Sequence, residues 1–316
     1  FPTRRSSDLL YWMGRYIERS EYVARYLNVN YFSSLDAPNE LSQSRQFVLR
    51  SMLFMVNKPE KDFEKILNEQ DVLYKIGLDP SSSFSILNAV KMARENANSA
   101  RDLISAELYE SINKFFHFVN DYDVDEFKKN GLDDFTSNVT EMTGIIRGKI
   151  RGTLLHDSVY AIIMMGINIE RATQVIRIIN TKYQDALNAQ GSYKQKFSKS
   201  FEWTTLLKCI ESYDMMRRLY KKTPTSLSTL EFLILNPKCP RSIMNCLNQV
   251  YNDIKVIDPS KENNKDSIGF LIGKVRCEFQ YKNIEEIEEN IQLFIEKILS
   301  DLSLITTKLE DEYFNY

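Results

Sequence analysis

Turn-forming residues are scarce in this chain. It has ten glycines and eight prolines in 316 residues, too few for a turn-dense β architecture, so long helices are expected. Histidine is nearly absent: only His117 and His156 occur, and none of the four cysteines stands in a C-x-x-C pair, so no metal site is expected. Cys209, Cys239, Cys246 and Cys277 are read as reduced thiols of a cytoplasmic protein. Neither sign of charge dominates. Forty-one Lys and Arg against 43 Asp and Glu leave −2, which gives no electrostatic reason to expect nucleic acid or an anionic membrane as partner. Long apolar runs are missing too. The most apolar stretch, Ala161 to Ile169, is interrupted by Asn168 and followed by Glu170, so no membrane span is expected, and no secretory signal pattern is read.

What is present is a motif written twice. Met13-Gly14-Arg15-Tyr16-Ile17-Glu18-Arg19-Ser20-Glu21-Tyr22-Val23-Ala24-Arg25 matches Met165 to Arg177 at seven of thirteen positions, at an offset of 152. A second landmark recurs at an offset of 157: Leu78, Pro80, Ser85, Ile86 and Asn88 correspond to Leu235, Pro237, Ser242, Ile243 and Asn245. Two landmarks in the same order point to a tandem duplication. The expectation is an all-α, multi-helix bundle of two pseudo-twofold-related helical repeats followed by a long C-terminal amphipathic helix. Repeat one is placed at about 10–134, repeat two at about 135–256 and the extension at about 257–316. Residues 1–9, Phe-Pro-Thr-Arg-Arg-Ser-Ser-Asp-Leu, resemble translated sequencing-adapter sequence and are set apart as a non-native segment.

Hydrophobic periodicity and punctuation place helices at about Leu10–Phe32, Leu41–Val56, Phe63–Ile76, Ser85–Leu103, Ser105–Val119, Phe135–Arg151, Asp157–Asp185, Glu202–Tyr220 and Leu227–Leu235. An acidic, glycine-containing loop is expected over Asp121–Asp134, and polar loops around Pro38 and over Ala189–Ser198. The tail carries Ile287, Ile291, Phe294, Ile298, Leu302, Ile305 and Leu309 at three- and four-residue spacing, one amphipathic helix of about six turns. Core covering is its ordinary role, and a homo-oligomer formed through this helix is the sharper alternative.

On a helix, Met13, Ile17, Ser20, Ala24 and Leu27 share one side, while Glu18, Arg19, Tyr22 and Arg25 share the other. The second copy is apolar nearly all round, yet holds Glu170, Arg171 and Arg177. Buried charges demand partners, so these side chains form either a structural ion-pair network across the pseudo-axis or a polar functional cleft. Arg94 and Glu95, with Arg101 nearby, form another polar cluster, read first as surface. His156 offers proton transfer only if it faces a cleft; with Asp157 as an N-cap beside it, a loop role comes first. The segment Gly269 to Val275 is one residue short of a phosphate loop and lacks its Ser or Thr, so no cofactor is expected.

The opening Leu10-Tyr11-Trp12-Met13-Gly14-Arg15-Tyr16-Ile17-Glu18-Arg19-Ser20-Glu21 closely resembles that of the bacterial alpha-E domain family, helical domains of unknown function named for a Glu-Arg motif. The likeness continues through Ala93-Arg94-Glu95-Asn96-Ala97, Gly166 with Ile169-Glu170-Arg171-Ala172, and Glu231 to Pro237 with Pro240-Arg241-Ser242. Ile167 stands where the family usually has a basic residue, so the counterpart of Arg15 is missing. The resemblance implies a neighbourhood of ATP-grasp-type ligases and transglutaminase-like proteins, hence a role in peptide or amide-bond synthesis or modification. Two functions fit. One is an accessory subunit that binds the ligase or its peptide substrate. The other is an enzyme using Glu18 or Glu170 as acid or base, with Arg19, Arg94 or Arg171 holding an anion.

Overall fold

The computed structural model describes residues 2–35, 45–59, 64–129, 131–188, 200–259 and 264–314. Those residues form fifteen α-helices and no strand. They are α1 (Arg4–Leu35), α2 (Arg45–Met55), α3 (Glu69–Gly77), α4 (Ile86–Ser99), α5 (Ala106–Asn120), α6 (Val124–Lys129), α7 (Leu132–Thr153) and α8 (Ser158–Asn188). After them come α9 (Ser200–Cys209), α10 (Tyr213–Tyr220), α11 (Ser226–Ile234), α12 (Ile243–Ile257), α13 (Ile268–Gln280), α14 (Ile284–Glu289) and α15 (Ile291–Leu309), which runs into a π turn, Glu310–Phe314. Among the described residues no helix is long and apolar enough to cross a membrane.

The two motif helices, α1 and α8, form the spine and lie side by side in the same direction. Gly14 meets Ile163 and Ile167, Glu18 meets Arg171, and Asn30 meets Lys182. Positions about 152 apart in sequence therefore face one another along the whole pair. Helix α4 packs on α1 and α12 on α8; α5 then packs on α4 and α13 on α12. Outermost, α7 covers α1 and α5, and α15 covers α8 and α13.

Glycine sets how closely the spine helices approach. A Cβ on Gly14 would lie 2.6 Å from the Ile163 carbonyl oxygen, and one on Gly166 would overlap the Tyr11 carbonyl oxygen. Tyr11 and Ile163 are themselves 152 positions apart, so each glycine receives the backbone of the other helix at the matching place. A glycine inside a helix ordinarily costs about 0.5–1 kcal/mol; here it permits the backbone contact.

The duplicated punctuation builds one local structure twice. Ser85 caps α4 by accepting from Asn88 N (3.1 Å), and Ser242 caps α12 by accepting from Asn245 N (3.0 Å). The side-chain amide of Asn88 donates to the Pro80 carbonyl, and that of Asn245 to the Pro237 carbonyl. The cap fixes the helix start, while the Asn ties the preceding loop to it.

Several boundaries differ from the sequence reading. The loop expected over Asp121–Asp134 contains α6 and the start of α7. Asp123 accepts from Glu126 N, and Phe127 packs edge-on against Tyr122 and Phe135. Residues 202–220 are two helices, because the chain at Glu211 enters the left-handed region (φ 55). There Ser212 N bonds Leu207 O and Glu211 N bonds Lys208 O, the Schellman pattern that ends a helix. The tail is three helices: α13 was not foreseen, and Asn290 divides α14 from α15. The division has a physical reason, since α14 rests on α11 whereas α15 rests on α8 and α13. The third helix starts only at Glu69, capped by Asn68. Helix α1 begins at Arg4, inside the segment set apart as non-native, with Ser7 fully buried. The loops expected around Pro38 and over Ala189–Ser198 lie outside the described residues.

Replacing Gly166 or Gly14 by Ala is expected to lower stability by on the order of 3 kcal/mol, through overpacking against backbone. Gly148→Ala, at an exposed helical position with nothing within 4 Å of the added Cβ, should raise it by about 0.5–1 kcal/mol. Thermal and urea unfolding of the three variants checks both signs.

Candidate functional site

The charged sides of α1 and α8 face each other in the protein interior. Glu18 and Glu170 are both fully buried, and each is held by an arginine of the other helix. Arg171 Nε donates to Glu18 Oε1 at 2.6 Å. Arg19 Nε donates to Glu170 Oε1 at 2.7 Å and its Nη2 to Oε2 at 3.0 Å, a two-point contact. The two motif copies thus exchange partners.

Around this crossed pair lie two clusters. Glu170 is completed by Arg15 Nε (2.8 Å) and by the Gln174 side-chain amide (2.7 Å). Arg15 stacks over Trp12 and donates to Thr306 Oγ1 of α15. Glu18 lies beside a second buried carboxylate, Glu21. Arg241, in the loop before the Ser242 cap, spans both at 3.6 and 2.9 Å. Arg147 of α7 pairs with both as well. Arg25 pairs with Glu21 (2.6 Å) and with Glu211 (3.1 Å), and Arg241 also pairs with Glu211. Tyr22 is buried beneath the Arg241 guanidinium.

These environments fix the protonation states. Burial pushes the Glu170 carboxyl up, but Arg19, Arg15 and the hydrogen bonds from Arg19 and Gln174 outweigh it and hold its pKa well below the usual carboxylate range. Glu18 is likewise raised by burial and then lowered further by Arg171 and Arg241. Both carboxylates are ionised at neutral pH and shielded from solvent. Both oxygens of Glu170 are bonded, whereas Glu18 Oε2 has no hydrogen-bond partner among the described residues and faces Arg147 at 3.7 Å. A general acid or base needs a proton to give or a lone pair within reach of a ligand; both glutamate side chains are fully buried.

The other sequence candidates lie apart from this network. His156 is exposed, stacked on Tyr160, with Nε2 at 3.0 Å from the Arg151 carbonyl, and beside it Asp157 accepts from Val159 N. Arg94 donates to Asn113 and covers Phe116, Glu95 is exposed, and Arg101 covers Tyr109. Arg147 and Glu211 were not singled out from the sequence; Gln174 falls on the polar side of the second motif helix, and Arg241 is named only within the resembling Pro240-Arg241-Ser242. Arg241 had one signal: it directly precedes a recurring cap serine.

The Glu170 cluster borders open space. One cavity of about 440 Å³ is lined by Trp12, Arg15, Thr173, Arg177, Thr306 and Glu310 among others. A second, of about 280 Å³, is lined by Arg19, Gln174, Arg177, Asn57, Lys58 and Phe84 among others. They share Met55, Asn57 and Arg177. Together they meet the size of small-ligand sites. Arg177 makes no ion pair with a carboxylate among the described residues. Burial lowers its pKa, and the nearby Arg19 and Arg15 lower it further against the attraction of Glu170.

A model of the family Alpha-E, described as a predicted alpha-helical domain with a conserved ER motif, matches residues 3–314. No curated protein and no solved structure matches the chain.

Removing one partner from a buried ion pair leaves an uncompensated charge. Glu170→Gln should therefore cost about 3–5 kcal/mol at pH 7. Because the folded-state pKa of Glu170 lies below its unfolded value, its contribution is complete above about pH 5 and fades as pH falls. Chemical unfolding of wild type and variant from pH 7 down to pH 4 should show the gap narrowing on acidification; a constant gap would contradict the ionised assignment.

Proposed function

We propose, from the premise that the chain belongs to the Alpha-E family, that it is a non-catalytic binding component working with an ATP-grasp-type ligase in peptide or amide-bond synthesis or modification. The partner comes from the family resemblance, which also points to transglutaminase-like proteins. One observation carries the non-catalytic half of the reading. Both motif glutamates are fully buried and each is bonded to arginine, so the Glu-Arg motif works as architecture, and what it presents to a ligand is cation-lined space beside Arg15, Arg19 and Arg177. In this reading the cleft holds part of the substrate while the ligase activates it.

The test is to co-express the chain with an ATP-grasp-type ligase of the same genome, and to assay the ligase for amide-bond formation with and without it. Co-elution as a defined complex and a product rate dependent on both chains are expected. A ligase that elutes alone and turns over equally well without this protein overturns the partnership. A purified chain that forms the product by itself overturns the non-catalytic half.

A further inference from the structure

The two charged clusters are built on matching positions, and comparing them shows what one of them lacks. At an offset of 152, Arg25 corresponds to Arg177 and Glu21 to Thr173. Asn57 and Glu211 also correspond. Each is the left-handed residue ending a Schellman-type helix terminus, with φ of 62 and 55. The bonds agree: Asn57 N to Phe54 O and Lys58 N to Leu53 O match Glu211 N to Lys208 O and Ser212 N to Leu207 O. At an offset of 157, Arg241 corresponds to Phe84.

In the Glu18 cluster, Arg25 is neutralised by two carboxylates, Glu21 and Glu211. In the Glu170 cluster, the residues at those two places are Thr173 and Asn57, neutral and polar, and both line open space around Arg177. In one cluster every arginine has a carboxylate of the chain at ion-pair distance, although Glu18 Oε2 and Glu21 Oε2 keep no hydrogen-bond partner among the described residues. The other has the cation, two hydrogen-bonding neighbours and a cavity where the carboxylates would be. Glu310, on the π turn, is the one carboxylate lining the larger cavity; it makes no ion pair with Arg177.

We propose that Arg177 is the anchor of a binding site for a small ligand carrying an oxyanion, carboxylate or phosphate. In that site the ligand's anionic group takes the place that Glu21 and Glu211 occupy at Arg25. Asn57 and Thr173 supply neutral hydrogen-bonding groups around it, and Arg15 and Arg19, held by Glu170, add positive potential from behind. The organic body of the ligand lies along Trp12 and the apolar side chains of α15. This deepens the binding reading above and rests on the cleft being its ligand-holding part, but needs no partner protein.

The experiment uses the isolated full chain, so failure here and failure to bind a ligase are read separately. Acetate, glutarate and inorganic phosphate are titrated in turn, followed by thermal shift and by tryptophan fluorescence, since Trp12 lines the cavity. Saturable binding of at least one is expected, and whether the carboxylates or phosphate bind identifies the group. Arg177→Met should weaken it about tenfold or more, with Arg177→Lys intermediate. Thr173→Glu places the missing carboxylate one turn before Arg177, as Glu21 stands before Arg25. It should raise the melting temperature and abolish anion binding, and it reports even if Arg177→Met does not fold. No saturable binding of any probe, or binding that survives both Arg177→Met and Thr173→Glu, overturns the proposal.

Discussion

The structure depends on the reciprocal burial of two carboxylates. Glu18 and Glu170 have no contact with solvent, and each takes its arginine from the neighbouring spine helix. Buried ion pairs commonly add little net stability over apolar side chains of the same volume, because desolvation offsets their attraction. Their strength lies in what they forbid. With α1 and α8 parallel, a slide of one helical turn, about 5.4 Å, would separate Arg171 from Glu18 and break the two-point contact of Arg19 with Glu170. Register, more than adhesion, is what the Glu-Arg motif supplies.

The surrounding elements complete this arrangement. The cap at Ser242 fixes the loop carrying Arg241, which reaches Glu18, Glu21 and Glu211 together. Glu211 holds a left-handed backbone conformation unfavourable for a residue with a Cβ, and its carboxylate receives both Arg25 and Arg241. The local strain is offset by charge pairing a few ångströms away. Helix α7 closes the same cluster with Arg147. Burial pulls the pKa of this arginine down to about 10, Glu18 opposes that shift, and Arg241 and Arg171 add to it.

Much of this was legible in the sequence, and the limits have physical causes. A motif repeated at one offset, with charges inside an otherwise apolar helix, announced the spine and the need for paired charges. Ser85 and Ser242 announced their caps because N-capping is local chemistry. The pairing of Arg147 and Arg241 with Glu18 and Glu21 was not legible, since they arrive from a helix and a loop far along the chain; Arg241 at least precedes a recurring cap serine, whereas nothing near Arg147 distinguishes it from a solvated arginine. The break at Glu211 was hidden for a related reason. Helix ends of this kind favour glycine or asparagine, and here tertiary charge pairing puts glutamate where local preference argues against it. The division at Asn290 was lost because the apolar spacing runs through it unchanged, while the surfaces beneath α14 and α15 belong to different helices.

The close approach at Gly14 and Gly166 bears on how the protein moves. The two helices touch through backbone at two matching points and are tied again by the charge pairs above them, so neither can shift without breaking both kinds of contact. The walls of the Arg177 cleft that lie outside the spine pair are the end of α2 near Asn57 and α15 with its π turn, so adjustment to the proposed ligand would fall to them. In the proposed site, the spine pair would fix where the positive charge sits, and the size of what fits beside it would depend on how α2 and α15 are placed.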